Sequence, residues 1–363
     1  MPRRAPSRVL LFTSSPLEGS EGADKQLAAL LASTIPDTEF TWFTCWPARD
    51  RPRLAGGRRI PILSQDGIPH ARERLQVTVA GALQARQVDL VHAVLTVGTG
   101  FPLLSRLWPR IFPSRPVIHT VPGVKDPHLL GRARPLGVTV ALSHASAHML
   151  DDAGFGDVRV IAPAISLASW PRRARSSGFP VVLFAGHYDP GGGAAEAVAV
   201  AAAAHRAGAR FKLVLAMRLR PGQDEQVQAE RLISLARREG LDDVIIHGHV
   251  ADMGALIAAA DVLLFTPRAL SGKADIPLTV LEALATGRPV ITSDLAQFTG
   301  LGDAVLRAPV GDVERSGHLL AQLLAEPRRW EAAAERGCVT VRARFGPERF
   351  AREYALLYQK LLR

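Results

Sequence analysis

Strand-length runs of unbroken apolar residues recur along this chain, and segments with helical spacing lie between them. RVLLFTS (8–14), FTWFTC (40–45), DLVHAVLT (89–96), PVIHTVP (116–122), VTVALS (138–143) and VRVIAPAI (158–165) form a first series. These runs do not alternate apolar with polar residues, which is the pattern of parallel strands covered on both faces. Between them, ADKQLAALLASTI (23–35) carries Leu27, Leu30 and Leu31 at helical spacing. Helices are also predicted over 69–86 and 144–153, the latter ending before Gly154. After SWPRRARSSG (169–178), a segment of linker composition, the pattern restarts. VVLFAG (181–186), FKLVLAM (211–217), VIIHG (244–248), DVLLFTP (261–267) and PVITSD (289–294) read as strands. Helices are expected over 193–207, 223–239 and 277–286, and PERFAREYALLYQKLL (347–362) reads as an amphipathic helix with Pro347 at its start. Two successive βα series predict an α/β protein with two parallel sheets in two Rossmann-like lobes, and ligands beyond the carboxyl ends of the strands. At 363 residues the chain exceeds the roughly 250–300 at which single cores stop growing. The expected division is 1–168, a linker at 169–178, and 179–346.

Several classes are disfavoured. The opening MPRRAPSRVLLFTSS places arginines before a short apolar run, but that run is only strand length and no small-residue cleavage site follows it. No segment approaches the roughly 20 apolar residues that span a bilayer. Cys45 and Cys338 show neither metal spacing nor a disulfide framework, so no metal is expected and a reducing cytoplasm is the expected compartment. Net charge is +10, and it is unevenly placed: residues 1–175 hold 22 Lys and Arg against 13 Asp and Glu, whereas 176–363 hold 22 against 21. Arg49, Arg51, Arg53, Arg58 and Arg59 cluster, as do Arg172, Arg173 and Arg175. In FPLLSRLWPRIFPSRP, Arg106, Arg110 and Arg115 interleave with Leu104, Leu107, Trp108, Ile111 and Phe112. Such a surface suits an anionic membrane, with the solvated arginines of a soluble protein as the plainer reading. No zinc-finger spacing or aromatic RNA-binding signature supports nucleic acid.

Two segments have phosphate-binding chemistry. Gly186-His187-Tyr188-Asp189-Pro190-Gly191-Gly192-Gly193 lies between a strand and a helix, where backbone can approach a phosphate closely; a simple tight turn is the alternative. It is neither a P-loop nor a GxGxxG loop. Pro277 suits the first turn of the helix at 277–286, leaving the N–H groups of Leu278 and Thr279 at its positive end for an anion. Glu282, taken alone, reads as a solvated helix acid.

The stretch from Asp275 through Pro277, Glu282 and Arg288-Pro289 to Asp294 resembles the donor-binding signature of the family 4 retaining glycosyltransferases. That resemblance implies the GT-B fold, two Rossmann-like lobes facing a cleft, with the helix at 347–363 crossing back to the first lobe. Glu21-Gly22-Ala23-Asp24-Lys25-Gln26 is similar to the family's glycine-rich first loop, so Gly19, Gly22 and Lys25 become acceptor-side candidates. Asp89-Leu-Val-His92 and Tyr354-x-x-x-Tyr358-x-x-Leu361 match further segments. The resemblance makes Glu282 a ribose ligand. Pro277, Leu278, Thr279, Gly186, His187, Gly192, Arg218 and His249 complete the donor-binding set.

Three departures stand against it. The family's Arg and Lys that clamp the donor diphosphate fall here at His187 and about Gly192. A lost oxyanion contact costs on the order of 3 kcal/mol in catalysis, and Arg218, Arg220, Arg268 or Lys273 are left to supply the charge, Lys273 being preferred. Ala274 stands where the first of two paired glutamates is usual, and the adjacent Asp275 either reaches the sugar hydroxyls or only caps the following helix. Pro122 occupies the position of a histidine near the donor sugar; His119 is carried as the catalytic candidate beside Lys273 and Asp275, with His92 as the other histidine. The leading expectation is a metal-independent retaining glycosyltransferase without a cofactor, its nucleotide diphosphate sugar a co-substrate and its acceptor small, polymeric or lipid-linked. The alternatives are a non-catalytic GT-B protein that binds a sugar nucleotide or a protein partner, and an epimerase of the same fold.

Overall fold

The computed structural model describes residues 6–13, 16–17, 22–45, 57–63, 71–112, 115–188, 193–219, 222–270 and 273–363. The chain forms two compact units, the first comprising Met1–Ile165, Ser271–Pro277 and Phe345–Arg363, the second Ser166–Leu270 and Leu278–Arg344.

Among the described residues, the first unit runs β1 (Ser7–Thr13), α1 (Ala23–Thr34), β2 (Thr38–Cys45), β3 (Arg58–Leu63), α2 (Ala71–Ala85) and β4 (Leu90–Val94). It continues with α3 (Phe101–Ile111), β5 (Val117–Val121), β6 (Val138–Ala141), α4 (His144–Asp152) and β7 (Val158–Val160). The sheet is parallel, in the order β3-β2-β1-β4-β5-β6-β7. Because side chains alternate across a strand, β1 sends Val9 and Leu11 into one apolar layer with Leu27, Leu31 and Phe350. Leu10 and Phe12 enter the opposite layer with Val77, Trp108 and Phe112. Both faces being covered is why the run is continuously apolar.

The second unit contains β8 (Val181–His187), α5 (Ala194–Arg206), β9 (Lys212–Arg218), α6 (Glu225–Arg238), β10 (Val244–His247), α7 (Met253–Ala259) and β11 (Val262–Phe265). Then come α8 (Leu278–Ala285), β12 (Val290–Ser293), β13 (Leu306–Ala308), α9 (Val313–Ala325) and α10 (Pro327–Arg344). Its parallel sheet has the order β10-β9-β8-β11-β12-β13. The alanines of α5 let α9 approach closely; a Cβ on Gly317 would meet Ala203 at 2.5 Å.

The last helix, α11 (Pro347–Leu361), belongs to the first unit. Its buried face of Phe350, Ala351, Tyr354, Leu357 and Tyr358 joins the layer around Val9 and Leu11. A buried polar chain fixes the docking: His92 Nδ1 lies 2.6 Å from the Tyr358 hydroxyl, and His92 Nε2 lies 2.8 Å from Thr120 Oγ1. Thr120 Oγ1 lies 2.7 Å from the Tyr354 hydroxyl. Burial holds the His92 imidazole neutral, lowering its pKa to about 3.

Four features differ from the sequence reading. β3 was not anticipated; Pro61 within it is tolerated because β3 is the sheet edge, where a missing N–H costs no ladder bond. The stretch 101–111 is a helix despite Pro102 and Pro109, since Pro102 lies in its first turn and Pro109 near its end. The strand expected over 158–165 pairs only at Val158–Val160. The segment at 169–178 is held on the second unit rather than loose. There Arg288 donates to the carbonyls of Arg173 and Ala174, and Arg175 pairs with Asp261 at 3.3 Å.

The basic surface read from the first half is correspondingly smaller. Trp108 and Phe112 are 2% and 3% exposed and stack on each other inside the core, so they offer no contact to a membrane. Arg115 donates to the carbonyls of Ala85 and Arg86, and Arg172 pairs with Glu331 and Glu335. Arg58 donates to Gln87, and Arg59 lies over the Trp42 ring. Arg49, Arg51 and Arg53 lie outside the described residues. Among those described, no helix is long and apolar enough to cross a membrane.

Candidate functional site

In the second sheet the strand order reverses between β8 and β11, and in open α/β sheets ligands bind outside the carboxyl ends of the strands at that point. The segment after β8 and the segment after β11 meet there. Gly193, the N-cap of α5, has φ +92°, and a Cβ on it would press on the backbone of Thr266 and Pro267 at 3.1–3.2 Å. Glycine is therefore required both for its left-handed backbone and for close approach. Gly186 sits over the Phe184 ring, and His187 is opposite Arg218 in the β8–β9 register. Gly192 and Arg220 lie outside the described residues.

Three buried polar atoms near this reversal have no hydrogen-bond partner among the described residues: the Tyr188 hydroxyl, Glu196 Oε2 and Thr266 Oγ1. Buried orphans are rare in folded proteins and mark places where a ligand or water completes the bonding. Tyr188 is fixed by its backbone, whose N–H donates to the Arg218 carbonyl at 3.2 Å and whose carbonyl accepts from Gln223. None of the three was singled out from the sequence; Thr266 at the end of an apolar strand was the readable signal.

The helix α8 carries Glu282. Leu278, Val280, Leu281, Ala283, Leu284 and Ala285 are all buried, and so is Glu282, at 6% exposure. The reading of Glu282 as a solvated acid is thereby overturned. Desolvation raises its carboxyl pKa to about 7, and no described group gives that carboxylate a hydrogen bond. α10 fixes α8 in place: the Cys338 thiol donates to the Leu284 carbonyl at 3.3 Å, and a Cβ on Gly337 would meet Leu284 Cδ2 at 2.8 Å. Thr279 is half-buried and Leu278 buried at the start of this helix.

The remaining candidates separate. Arg268 pairs with Glu196 at 2.5 Å, which neutralises it as a substitute diphosphate clamp. Arg218 and His249 are exposed, and His249 follows the edge strand β10 rather than the reversal. Lys273, Asp275 and Pro277 belong to the first unit. Asp275 does not cap the following helix: its Oδ1 accepts from Ser146 Oγ at 2.6 Å, and its N–H donates to the Pro122 carbonyl. Its Oδ2 is a buried orphan, and desolvation raises its pKa against the bonds from Ser143 and Ser146. A Cβ on Gly123 would collide with the Lys273 carbonyl oxygen, so that glycine admits the strap. His119 is fully buried, donates through Nε2 to the Leu95 carbonyl and stacks on Phe101, with a pKa lowered by burial to about 4. Gly22, at φ +103°, starts α1, and Lys25 lies in its first turn; Gly19 lies outside the described residues.

Comparison with known proteins now bears on this arrangement. Residues 179–326 match the family model for glycosyl transferases group 1. No curated protein matches the chain. HepE from Anabaena, solved with UDP and glucose, superposes with a TM-score of 0.74 at 16% identity, covering 98% of this chain and 100% of its own. Sucrose-phosphate synthase from Thermosynechococcus elongatus gives 0.73 at 19%, covering 98% and 99%. A glycosyltransferase from Rickettsia africae gives 0.71 at 14%, covering 99% of each chain. The two Rossmann-like units have the fold of these GT-B glycosyltransferase structures, and the match over residues 179–326 supports a glycosyltransferase.

Proposed function

We propose that the chain is a metal-independent, retaining glycosyltransferase of family 4, and that its second unit holds the nucleotide diphosphate sugar. The observation that carries this reading is Glu282, a buried carboxylate without a described hydrogen-bond donor, on a helix packed rigidly beside the strand reversal. Two ribose hydroxyls supply the donors it lacks. The glycine-rich segment ending at Gly193 and the start of α8 receive the diphosphate, whose charge suits a helix N-terminus.

His187 and Gly192 bring no fixed charge to the diphosphate, and Arg268 is neutralised by Glu196. Lys273, five residues before α8 in the chain, supplies it in this reading. The acceptor hydroxyl attacks the anomeric carbon on the face from which the diphosphate departs. As the new carbon–oxygen bond forms, the bond to the diphosphate breaks and a diphosphate oxygen takes the acceptor's proton. Such a displacement needs no carboxylate base from the first unit. His119 is enclosed by the core on Phe101 and is not used as a base. Asp275 positions the strap that carries Lys273 through Ser146. The basic first half of the sequence suits an acceptor at an anionic membrane surface or an acidic glycan.

A thermal-shift screen with UDP, GDP and ADP tests the donor assignment, since a ligand that binds only the folded protein raises its melting temperature. HepE, which was solved with UDP, makes UDP the first to try. A shift with one nucleotide that Glu282→Gln removes supports the reading, and no shift with any of the three contradicts it.

A further inference from the structure

The first unit contains a cavity of about 300 Å³ lined by Thr99, Pro102, Leu103, Arg106, Leu129 and Arg132. It lies where the segments after β4 and β5 come together: the Val97 N–H donates to the Gly123 carbonyl, and the Lys125 N–H donates to the Val97 carbonyl. One wall is the first half of α3, the other the 3-10 turn Pro127–Arg132. Ser105, buried at the joint, donates to the Pro102 carbonyl at 2.9 Å and accepts from the Arg134 N–H at 3.0 Å. Asp126 caps the 3-10 turn through the His128 N–H, and Leu130 anchors that turn in the core. The walls are therefore fixed by hydrogen bonds and burial.

The lining combines two chemistries. Arg106 and Arg132 are exposed, and neither is paired with an acid among the described residues. The Lys125 side chain lies over Gly98, which precedes Thr99 in the chain, and Asp126 is the neighbouring acid. Against these stand Pro102, Leu129 and Leu103, the last 66% exposed. Guanidinium groups are suited to phosphate because their planar N–H donors match its oxygens in pairs. Exposed leucine beside them favours a ligand with a hydrocarbon part.

We propose that this cavity binds the phosphate of an amphiphilic phosphate ester, with the ester's carbon chain against Pro102, Leu103 and Leu129. Its use as an acceptor pocket rests on the glycosyl-transfer reading; the binding site does not. The ester reaches it either as a lipid headgroup or as a soluble molecule.

Calorimetry on the full chain with hexyl phosphate, inorganic phosphate and hexanol tests the proposal. Hexyl phosphate is expected to bind more tightly than either fragment. Arg106→Gln and Arg132→Gln are each expected to weaken it about tenfold, the loss that follows removal of a hydrogen bond to a charged group. Both arginines are exposed, so the melting temperature and nucleotide binding are expected to stay unchanged. Vesicles of phosphatidylcholine with and without phosphatidic acid identify the source. Sedimentation with phosphatidic acid that the double variant loses assigns a lipid, whereas hexyl phosphate binding without sedimentation assigns a soluble ester. Equal hexyl phosphate affinity in the wild type and the double variant overturns the site, as does inorganic phosphate binding as tightly as the ester. Failure of the transferase reading shows separately, as absence of nucleotide binding.

Discussion

The Glu282 carboxyl is displaced from about 4.5 to about 7 by burial on α8, and that displacement is worth on the order of 3 kcal/mol. The folded protein favours the protonated form. Its contribution is fully present below pH 4.5 and is lost as pH rises through about 7. Ribose hydroxyls that donate to this group favour the opposite, ionised form, so nucleotide binding must release a proton. At pH 7 about half a proton is expected per nucleotide bound, and between pH 7 and pH 5 wild-type affinity is expected to fall by about 50-fold through this group. Glu282→Gln removes the titration. The phosphates of the nucleotide titrate in both proteins, so their effect cancels in the ratio of the two affinities. Isothermal calorimetry in buffers of different ionisation enthalpy reads the proton directly. A wild-type to variant affinity ratio that does not change with pH would refute the assignment, and one that rises on acidification would reverse its sign.

Other expectations follow from the same geometry. Lys273→Ala is expected to weaken binding of the nucleoside diphosphate much more than of the nucleoside; equal losses in calorimetry indicate a structural role instead. Gly123→Ala places a methyl group against the Lys273 carbonyl and is expected to cost about 1–3 kcal/mol, read as a lower denaturation midpoint. His119, with its pKa lowered from 6.5 to about 4, contributes stability that is present above pH 6.5 and lost as pH falls toward 4. Between pH 6.5 and 5 the loss through His119 alone is expected to be about 1.6 kcal/mol, beside the same-signed contribution of His92 and the opposed one of Glu282. The difference between the wild-type and His119→Asn stabilities, from urea unfolding, should change by that amount over the range; a difference that does not change with pH would contradict the neutral, buried imidazole.

What could be read from the sequence was what local pattern determines. The central strands were legible because β1, β4, β5, β8 and β11 are covered on both faces and carry unbroken apolar runs. α11 was legible from its periodic apolar face. β3 was not read from the sequence, and the edge position that tolerates its Pro61 is a property of the assembled sheet. The pairing of Asp275 with Ser146 spans 129 residues and has no local signature, so helix capping looked equally good. The burial of Glu282 did leave a trace, since a helix with apolar residues nearly all round, from Leu278 to Ala285, is a buried one. Arg268 looked available until Glu196, 72 residues earlier, was found beside it.

Turnover of nucleotide sugars, followed by proton NMR in the presence of a chelator, tests the central claim most directly. With UDP-, GDP- and ADP-linked sugars offered in turn, the wild type is expected to cleave at least one of them. The sugar first released should keep its anomeric configuration, before mutarotation mixes the forms, and Glu282→Ala should slow the reaction strongly. Release of the inverted anomer would contradict retention, and equal cleavage by wild type and Glu282→Ala would remove the second unit's helix from the donor site.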